Sequence, residues 1–283
     1  MILSIFGNKP KAEAAPASGR FVRPMAAGDI HDVVAIIEQH DEDDAENARE
    51  SFENSLEGLF VAVDDGRVVG VTGAVQDPEA EAVCWLSWTY VDEGERRQGL
   101  GQYLLDGLLH QLRNAKIRKL FMATSDFMED GEDIYAPAKA LFQKLGAELE
   151  LKIEDYFGPG EARYVYGLQL SETVPEAEVT PAGNLIFDDL YPAAETDDGF
   201  MLTWRQYQLG LDPSDAVEEL DRLLDRARQD GARFIIAAIP SDLATGAIKG
   251  LTQKGFQSTG ALKDYYQPGI EQLNWILRFD RPA

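Results

Sequence analysis

Apolar positions along this chain change their period several times, and each change predicts an element. Phe21-Val-Arg-Pro-Met reads as a strand, and Asp29 stands where a helix cap belongs, ahead of Val33, Ile36 and Ile37 at helical spacing. A second helix is expected near Ala45 to Leu56. Leu59-Phe-Val-Ala-Val and Val68 to Val75, joined by the turn Asp64-Asp-Gly-Arg, form an antiparallel hairpin, and a third strand from Ala82 to Val91 completes a meander. From Gly101 to Ala115 the residues Tyr103, Leu104, Leu105, Leu108, Leu109 and Leu112 make a broad apolar face that must pack on a sheet. Ile117 to Thr124 reads as a buried strand, Tyr135 to Leu145 as a helix stopped by Gly146, and Leu149–Ile153 with Arg163–Leu170 as two closing strands.

Residues 171–183 hold two prolines and three glutamates with little to bury, and are read as a linker. Beyond it the chain repeats itself. Asp155-Tyr-Phe-Gly-Pro-Gly returns as Asp264-Tyr-Tyr-Gln-Pro-Gly, an offset of 109, and each copy is followed by an apolar strand. Upstream, a helix from Asp215 to Gln229 and a strand from Arg233 to Ile239 mirror the helix from Gly101 and the strand that follows it. Only some thirty residues precede the strand expected at Met201 to Leu209, too few for the helical opening of the first copy. The expected organisation is a tether over 1–19, a first domain over 20–170, the linker, and a shorter second domain over 184–283.

Composition narrows the function. The 283 residues are 45% hydrophobic, enough for real cores, and 26 Lys and Arg against 50 Asp and Glu give a formal charge of −24. Such a field repels nucleic acid and anionic lipid, so neither is expected as a partner. It favours cationic partners such as amines, or serves only as a solubilising surface. One cysteine, Cys84, excludes an intrachain disulfide, and within its strand it reads as a buried structural thiol rather than a nucleophile. His31, His40 and His110 are far apart and form no HExxH-like pair, so no metal is expected. His110 is expected to be structural. With no apolar run of about 18 residues, the protein is expected in the cytoplasm.

The chemistry lies in Val91-Asp-Glu-Gly-Glu-Arg-Arg-Gln-Gly-Leu-Gly-Gln, where a strand ends and the long helix begins. Glycines at 99 and 101 let backbone N–H groups approach an anion, the helix dipole favours negative charge there, and Arg96 and Arg97 add a cationic rim. That combination suits a pyrophosphate. Arg96-Arg97-Gln98-Gly99-Leu100-Gly101, after a strand ending in Val91, resembles the motif of the GNAT superfamily of N-acetyltransferases. Ala138-Lys-Ala-Leu-Phe-Gln-Lys-Leu-Gly is similar to a further helix of that family, and the agreement extends over residues 20–170.

The resemblance implies an α/β fold, a mixed and mostly antiparallel sheet flanked by helices, with the second half a smaller GNAT-like repeat. It implies acetyl-CoA as co-substrate in a V between strands ending near Val91 and Thr124. Tyr90 and Val91 would hold the pantetheine and polarise the thioester, and Gln98, Gly99, Leu100 and Gly101 would bind the pyrophosphate with Arg96 and Arg97. A neutral amine, on a small molecule or a protein, would attack directly, with one group taking its proton and another supplying one to the thiolate. Asp92 and Glu93 are the candidates for the base, or are solvated loop carboxylates. The tyrosine the family often uses as acid is replaced by Phe142, and the expected asparagine by Tyr135, which either takes the acid's part or simply packs. Tyr156 and Phe157 resemble substrate-lining aromatics, or pack beside Pro159-Gly160. The missing tyrosine also keeps open a non-catalytic acyl-CoA sensor or scaffold. In the second copy, Gly210-Leu-Asp-Pro-Ser-Asp replaces the anion loop; Asp212 and Asp215 would repel a diphosphate, so that half is expected not to bind CoA. The number of copies in the assembly is left open, a dimer included.

Overall fold

The computed structural model describes residues 19–171, 185–206 and 213–279, of which 213–217 are described by backbone alone. The expected tether up to residue 18, nearly all of the expected linker, the last three residues of the strand expected to Leu209, and Gly210 to Asp212 lie outside the described residues, as do the side chains of Ser214 and Asp215. The chain divides into two compact units, Met1–Phe121 with Gln169–Glu172, and Met122–Leu168 with Thr173–Ala283.

In the first unit the order is β1 (Arg20–Pro24), α1 (Ile30–Glu38), α2 (Glu42–Asn54), β2 (Leu59–Asp64), β3 (Arg67–Gln76), β4 (Val83–Val91), α3 (Leu100–Asn114) and the start of β5 (Lys119–Ser125). β1 to β4 pair antiparallel in sequence order, and β5 adds to β4 in parallel. Asp65 and Gly66 take φ of 46° and 82°, the left-handed pair that a two-residue hairpin turn needs. α3 buries Leu100, Leu104, Leu105, Leu108, Leu109 and Leu112. Tyr103, read from its spacing as part of that face, is exposed instead and donates its hydroxyl to the Arg20 carbonyl at 2.9 Å. His110 is likewise exposed. α1 and α2 pack Val33, Val34, Ile36, Ile37, Ala48 and Phe52 against Val61, Val63 and Val71 of the meander.

Asp29 does not cap α1 with its side chain. Its carboxylate turns back to accept from the Ala26 N–H at 2.8 Å and from Arg23, fixing the entry to the helix from the other side. Burial alone would raise the Asp29 pKa, but the Arg23 bond and the Ala26 N–H outweigh it and hold the carboxyl below its usual range. Burial, and secondarily the Asp77 carboxylate, pushes the Cys84 thiol up to about 12, as suits an inert core residue.

The second unit takes the rest of β5, then β6 (Met128–Glu129), β7 (Glu132–Asp133), α4 (Ala136–Lys144), β8 (Glu148–Gly158), β9 (Glu161–Gln169), β10 (Leu185–Pro192), β11 (Gly199–Gln206), α5 (Pro213–Gln229), β12 (Phe234–Pro240), α6 (Ala244–Gln253), β13 (Gln257–Gln267) and β14 (Ile270–Arg278). β11 and β12 are parallel, while β10–β11, β12–β14 and β13–β14 are antiparallel. The repeated hexapeptide builds the same turn twice. Asp155 and Asp264 have φ of 51° and 53°, and their carboxylates each accept a 2.7 Å bond from the N–H of Gly160 and Gly269. The adjacent rings, Tyr156–Phe157 and Tyr265–Tyr266, meet edge-on at 5.0 and 4.8 Å. β8 and β13 cross at Leu151↔Gly260, two positions separated by the repeat offset itself, so an approximate two-fold axis relates the hairpins. Among the described residues, no helix is long and apolar enough to cross a membrane.

Two outcomes test this packing. A Cβ on Gly70 would lie 2.8 Å from Leu104 Cδ1 and 3.0 Å from the Tyr90 carbonyl, so Gly70→Val is expected to destabilise the first unit by about 1–3 kcal/mol in urea unfolding. Because the folded Asp29 pKa is depressed, its contribution is present above the unfolded value, about 3.9, and is lost as pH falls through the folded one. The stability difference between the wild type and Asp29→Asn should therefore shrink as pH drops through that window.

Candidate functional site

β4 carries an irregularity just before its end. The register passes from Gly73↔Ser87 to Val71↔Tyr90, so β4 uses one more residue than β3 over that step. The extra residue falls at Trp88, whose φ of 42° lies in the left-handed region. For a bulky side chain this costs on the order of 1–2 kcal/mol, and it is held by the edge-on contact of the indole with Phe52 at 5.5 Å. The parallel register with β5 ends at Trp85↔Phe121, whereas β4 runs on to Val91. The bulge re-aims the last residues of the strand, Thr89, Tyr90 and Val91, toward the loop that follows.

That loop opens with a short 3-10 turn at Glu93–Glu95, stapled by Asp92, whose Oδ1 accepts from the Gly94 N–H at 3.0 Å. The neighbouring acids are matched by cations. Arg67 bonds Glu95 at 2.7 Å and approaches Asp92 at 3.5 Å, Arg20 reaches Glu95 at 3.3 Å, and Arg96 lies 3.6 Å from Glu93. Arg97 follows with φ of 63°, and Gly99 with φ of 79°, a left-handed N-cap that offers no side-chain bond to the helix. A Cβ on Gly99 would meet nothing within 4 Å. The first helical bond runs from the Tyr103 N–H to the Gly99 carbonyl at 3.0 Å, so the N–H groups of the first turn, beginning at Leu100 and Gly101, have no acceptor within the helix. Arg96, Arg97, Gln98 and Gly99 are all exposed around that end. Helix termini of this kind favour anions through the helix dipole and through main-chain N–H groups such as those of Leu100 and Gly101.

Sequence reasoning missed His40, which lies just after α1. Its Nε2 is 2.8 Å from the Val91 carbonyl, and Arg96 Nη2 contacts its Nδ1. A guanidinium only donates, so Nδ1 accepts and Nε2 carries the proton it gives to Val91. His40 thus ties the Glu93–Gly99 loop to the end of β4. Its ring also stands 5.5 Å from that of Tyr90, whose hydroxyl donates to Asp44. The sequence offered no spacing signal for it, because α1, β4 and the loop meet only in space.

The remaining predicted residues lie in the second unit. Tyr135 is exposed just ahead of α4, its N–H bonded to Asp133 Oδ1 at 2.9 Å. Phe142 is buried edge-on against Tyr166 at 5.8 Å. Tyr156 is 2% exposed, donating to the Ala194 carbonyl at 2.9 Å and accepting from Arg163 at 2.7 Å, while Phe157 is half-buried beside it.

A bulged strand feeding a glycine-capped helix with exposed arginines places this site in an α/β domain. Residues 29–147 match the model of the acetyltransferase (GNAT) family, so the chain carries an acetyltransferase domain of that family over this stretch. Solved structures similar to the chain include a GNAT-family protein from Desulfovibrio desulfuricans, at 22% identity and a TM-score of 0.49 over 54% of this chain and 100% of that one. Others are the ribosomal-protein-S18-alanine N-acetyltransferase of Escherichia coli, at 19%, 0.46, 56% and 97%, and the aminoglycoside 6'-N-acetyltransferase of Enterococcus faecium, at 14%, 0.47, 55% and 99%. A search of curated proteins finds no match.

The bonding at His40 has a direct spectroscopic consequence. Long-range nitrogen–proton NMR on the ring should find the Nε2–H tautomer, with an Nδ1 shift that moves in Arg96→Ala; an Nδ1–H ring insensitive to that change would contradict the arrangement.

Proposed function

We propose that the first domain moves an acetyl group from acetyl-CoA to a primary amine by direct attack. The observation that carries this reading is the start of α3, where Gly99 leaves open space, no side chain caps the helix, and Arg96 and Arg97 stand exposed alongside. These residues fit a diphosphate. N–H groups from Gln98 to Gly101 bind its oxygens and the arginines add charge-assisted bonds. The acids of the loop do not oppose it, because Asp92, Glu93 and Glu95 are each engaged by an arginine.

In this reading, main-chain groups of Tyr90 and Val91 orient the pantetheine arm and the thioester carbonyl. The amine nitrogen attacks the carbonyl carbon, the carbon–sulfur bond breaks, and a proton passes from nitrogen to the departing thiolate. Asp92 and Glu93, at the end of β4, are the groups assigned to removing the proton; the Glu93 side chain, 56% exposed, is the more accessible. Tyr135, Tyr156 and Phe157, expected as the acid and the acceptor-side aromatics, lie in the second unit; Tyr156, 2% exposed with its hydroxyl bonded to Ala194 and Arg163, packs rather than lines an acceptor. One observation favours the other reading, a domain that binds acyl-CoA without turning it over: Phe142, buried against Tyr166, has no proton to give.

The second copy is assigned no CoA. Its parallel register ends at Leu202↔Ala237, and immediately beyond it Trp204 Nε1 donates to the Ala238 carbonyl at 2.9 Å. The indole bridges β11 and β12 just beyond their paired stretch, where the two strands of the first copy carry no such bond among the described residues.

Acetyl-CoA is expected to raise the melting temperature, since a ligand at about a hundred times its Kd adds ~2.7 kcal/mol, and an amine should then release free thiol. Arg96→Glu should weaken binding roughly tenfold or more. Binding without thiol release across a broad amine panel would leave the sensor reading. Titration calorimetry should saturate at one CoA per chain, and a second equivalent would contradict the assignment of the C-terminal half.

A further inference from the structure

Between β5 and α4 the chain makes a small projection that the sequence reading did not anticipate. Asp126 to Tyr135 leave the carboxyl end of β5, the end at which open α/β sheets take their ligands, and return into α4 through the paired strands β6 and β7. The ladder joins Met128↔Asp133 and Glu129↔Glu132 around Asp130-Gly131, with φ of 51° and 84°. Its root is firmly held. Asp126 accepts from the Ala162 N–H at 2.7 Å and the Tyr164 hydroxyl at 3.0 Å, Ser125 Oγ accepts from the Phe127 N–H at 3.0 Å, and Lys139 reaches the Ser125 carbonyl at 3.3 Å and the Asp133 carboxylate.

This ordered hairpin holds four large apolar side chains in water: Phe127, Met128, Ile134 and Tyr135 are 45%, 55%, 44% and 40% exposed. They are half of the exposed large hydrophobic residues among those described, gathered within nine positions. A cluster of this kind on a held scaffold marks an interaction surface. Carboxylates alternate with it. Glu129, Asp130 and Glu132 form no ion pair among the described residues, while Asp133 is matched by Lys139.

We propose that this hairpin docks a basic, apolar-rich segment of another protein, the carrier of the amine to be acetylated. The proposal rests on the amine-acceptor reading above for its purpose, and on the hairpin's own chemistry for its occupant. A second copy of this chain would bring the same carboxylates to face each other, on a molecule of charge −24. An anionic lipid surface is opposed by the same charges. A small polyamine would pair with the acids but leave Phe127, Met128 and Ile134 uncovered. Only an extended segment that alternates lysine or arginine with apolar side chains satisfies both components, with the aromatic and Met side chains as anchors and the acids as a rim.

The test is fluorescence anisotropy of the full chain with a labelled short peptide of alternating leucine and lysine. Binding is expected, weakening as salt rises. Combined Phe127→Ser, Met128→Ser and Ile134→Ser should weaken it roughly tenfold or more. Combined Glu129→Gln, Asp130→Asn and Glu132→Gln should weaken it about threefold at low salt and flatten the salt dependence. Both variants should retain the acetyl-CoA melting shift, which reports that each is folded. Unchanged binding in both variants would overturn the proposal. So would equal binding of a leucine–glutamine peptide, or self-association of the free chain that the apolar variant abolishes. Peptide binding that survives while no amine is acetylated would support this surface and remove only the acyl-transfer reading.

Discussion

The constraint on which the proposed site depends is electrostatic: if a chain with a formal charge of −24 is to take a polyanion, it needs one place where its own acids are neutralised. It would hold the polyanion with fixed dipoles more than with an excess of cations. Gly99 takes the left-handed position that ends the loop, and by lacking a side chain it leaves the first turn of α3 uncapped. Everything around it clears the field. Arg20 and Arg67, from β1 and β3, neutralise Glu95 and Asp92, so the arginines of the loop itself face outward with their charge unspent on the backbone acids, apart from the long Arg96–Glu93 approach at 3.6 Å. β1 and the meander therefore bear on the proposed site, since Arg20 and Arg67 cancel the loop's own acids.

The two halves of the sequence repeat diverge where this logic applies and agree where it does not. The Asp-to-Gly turns at Asp155 and Asp264 match in backbone angle and hydrogen bond, because a left-handed Asp whose carboxylate receives the Gly N–H is a self-contained solution for a long hairpin. Antiparallel pairing of β8 with β13 at equivalent positions then uses both copies symmetrically. Parallel pairs of strands had no such local reason to stay alike. In the first copy, β4 is bulged beyond its contact with β5; in the second, Trp204 bridges to the strand beside it.

How much of this was legible follows the range of the interactions. The helices, the meander, the Asp65-Gly66 turn and the repeated hairpin are written in local periodicity and turn chemistry, so they were readable in advance, as was the strand–loop–helix junction that holds the Arg96–Gly101 motif. Tyr103 was misassigned because its position adjoins the apolar stripe of α3 while its hydroxyl has a backbone partner at Arg20. Asp29 was read as a cap from its position alone, whereas Arg23 and the Ala26 N–H take its carboxylate. His40 carried no signal at all, since Val91 and Arg96 are its neighbours only after α1 packs on the sheet. The hairpin of β6 and β7 was invisible for another reason: Met128 and Ile134 looked like ordinary apolar residues, and exposure is not a property of sequence.

Local rules also fail where β4 ends, and the failure is informative. A tryptophan at φ of 42° is a poor choice for an ordinary strand, and Ser87 Oγ beside it is buried with no partner among the described residues. Each is unfavourable by itself, on the order of 1–3 kcal/mol. Both persist because the surroundings over-determine them: Phe52 holds the indole, Thr72 and Thr89 share a 3.0 Å bond across the bulge, and Tyr90 is tethered to Asp44 in α2. Strain kept in place by α2 and β3 at the strand end that leads into the Glu93–Gly99 loop is strain with a geometric purpose. A regular β4 would continue its pleat alongside β3 and carry Val91 past the loop; the extra residue turns the strand so that its last carbonyl meets His40, and through His40 the guanidinium of Arg96.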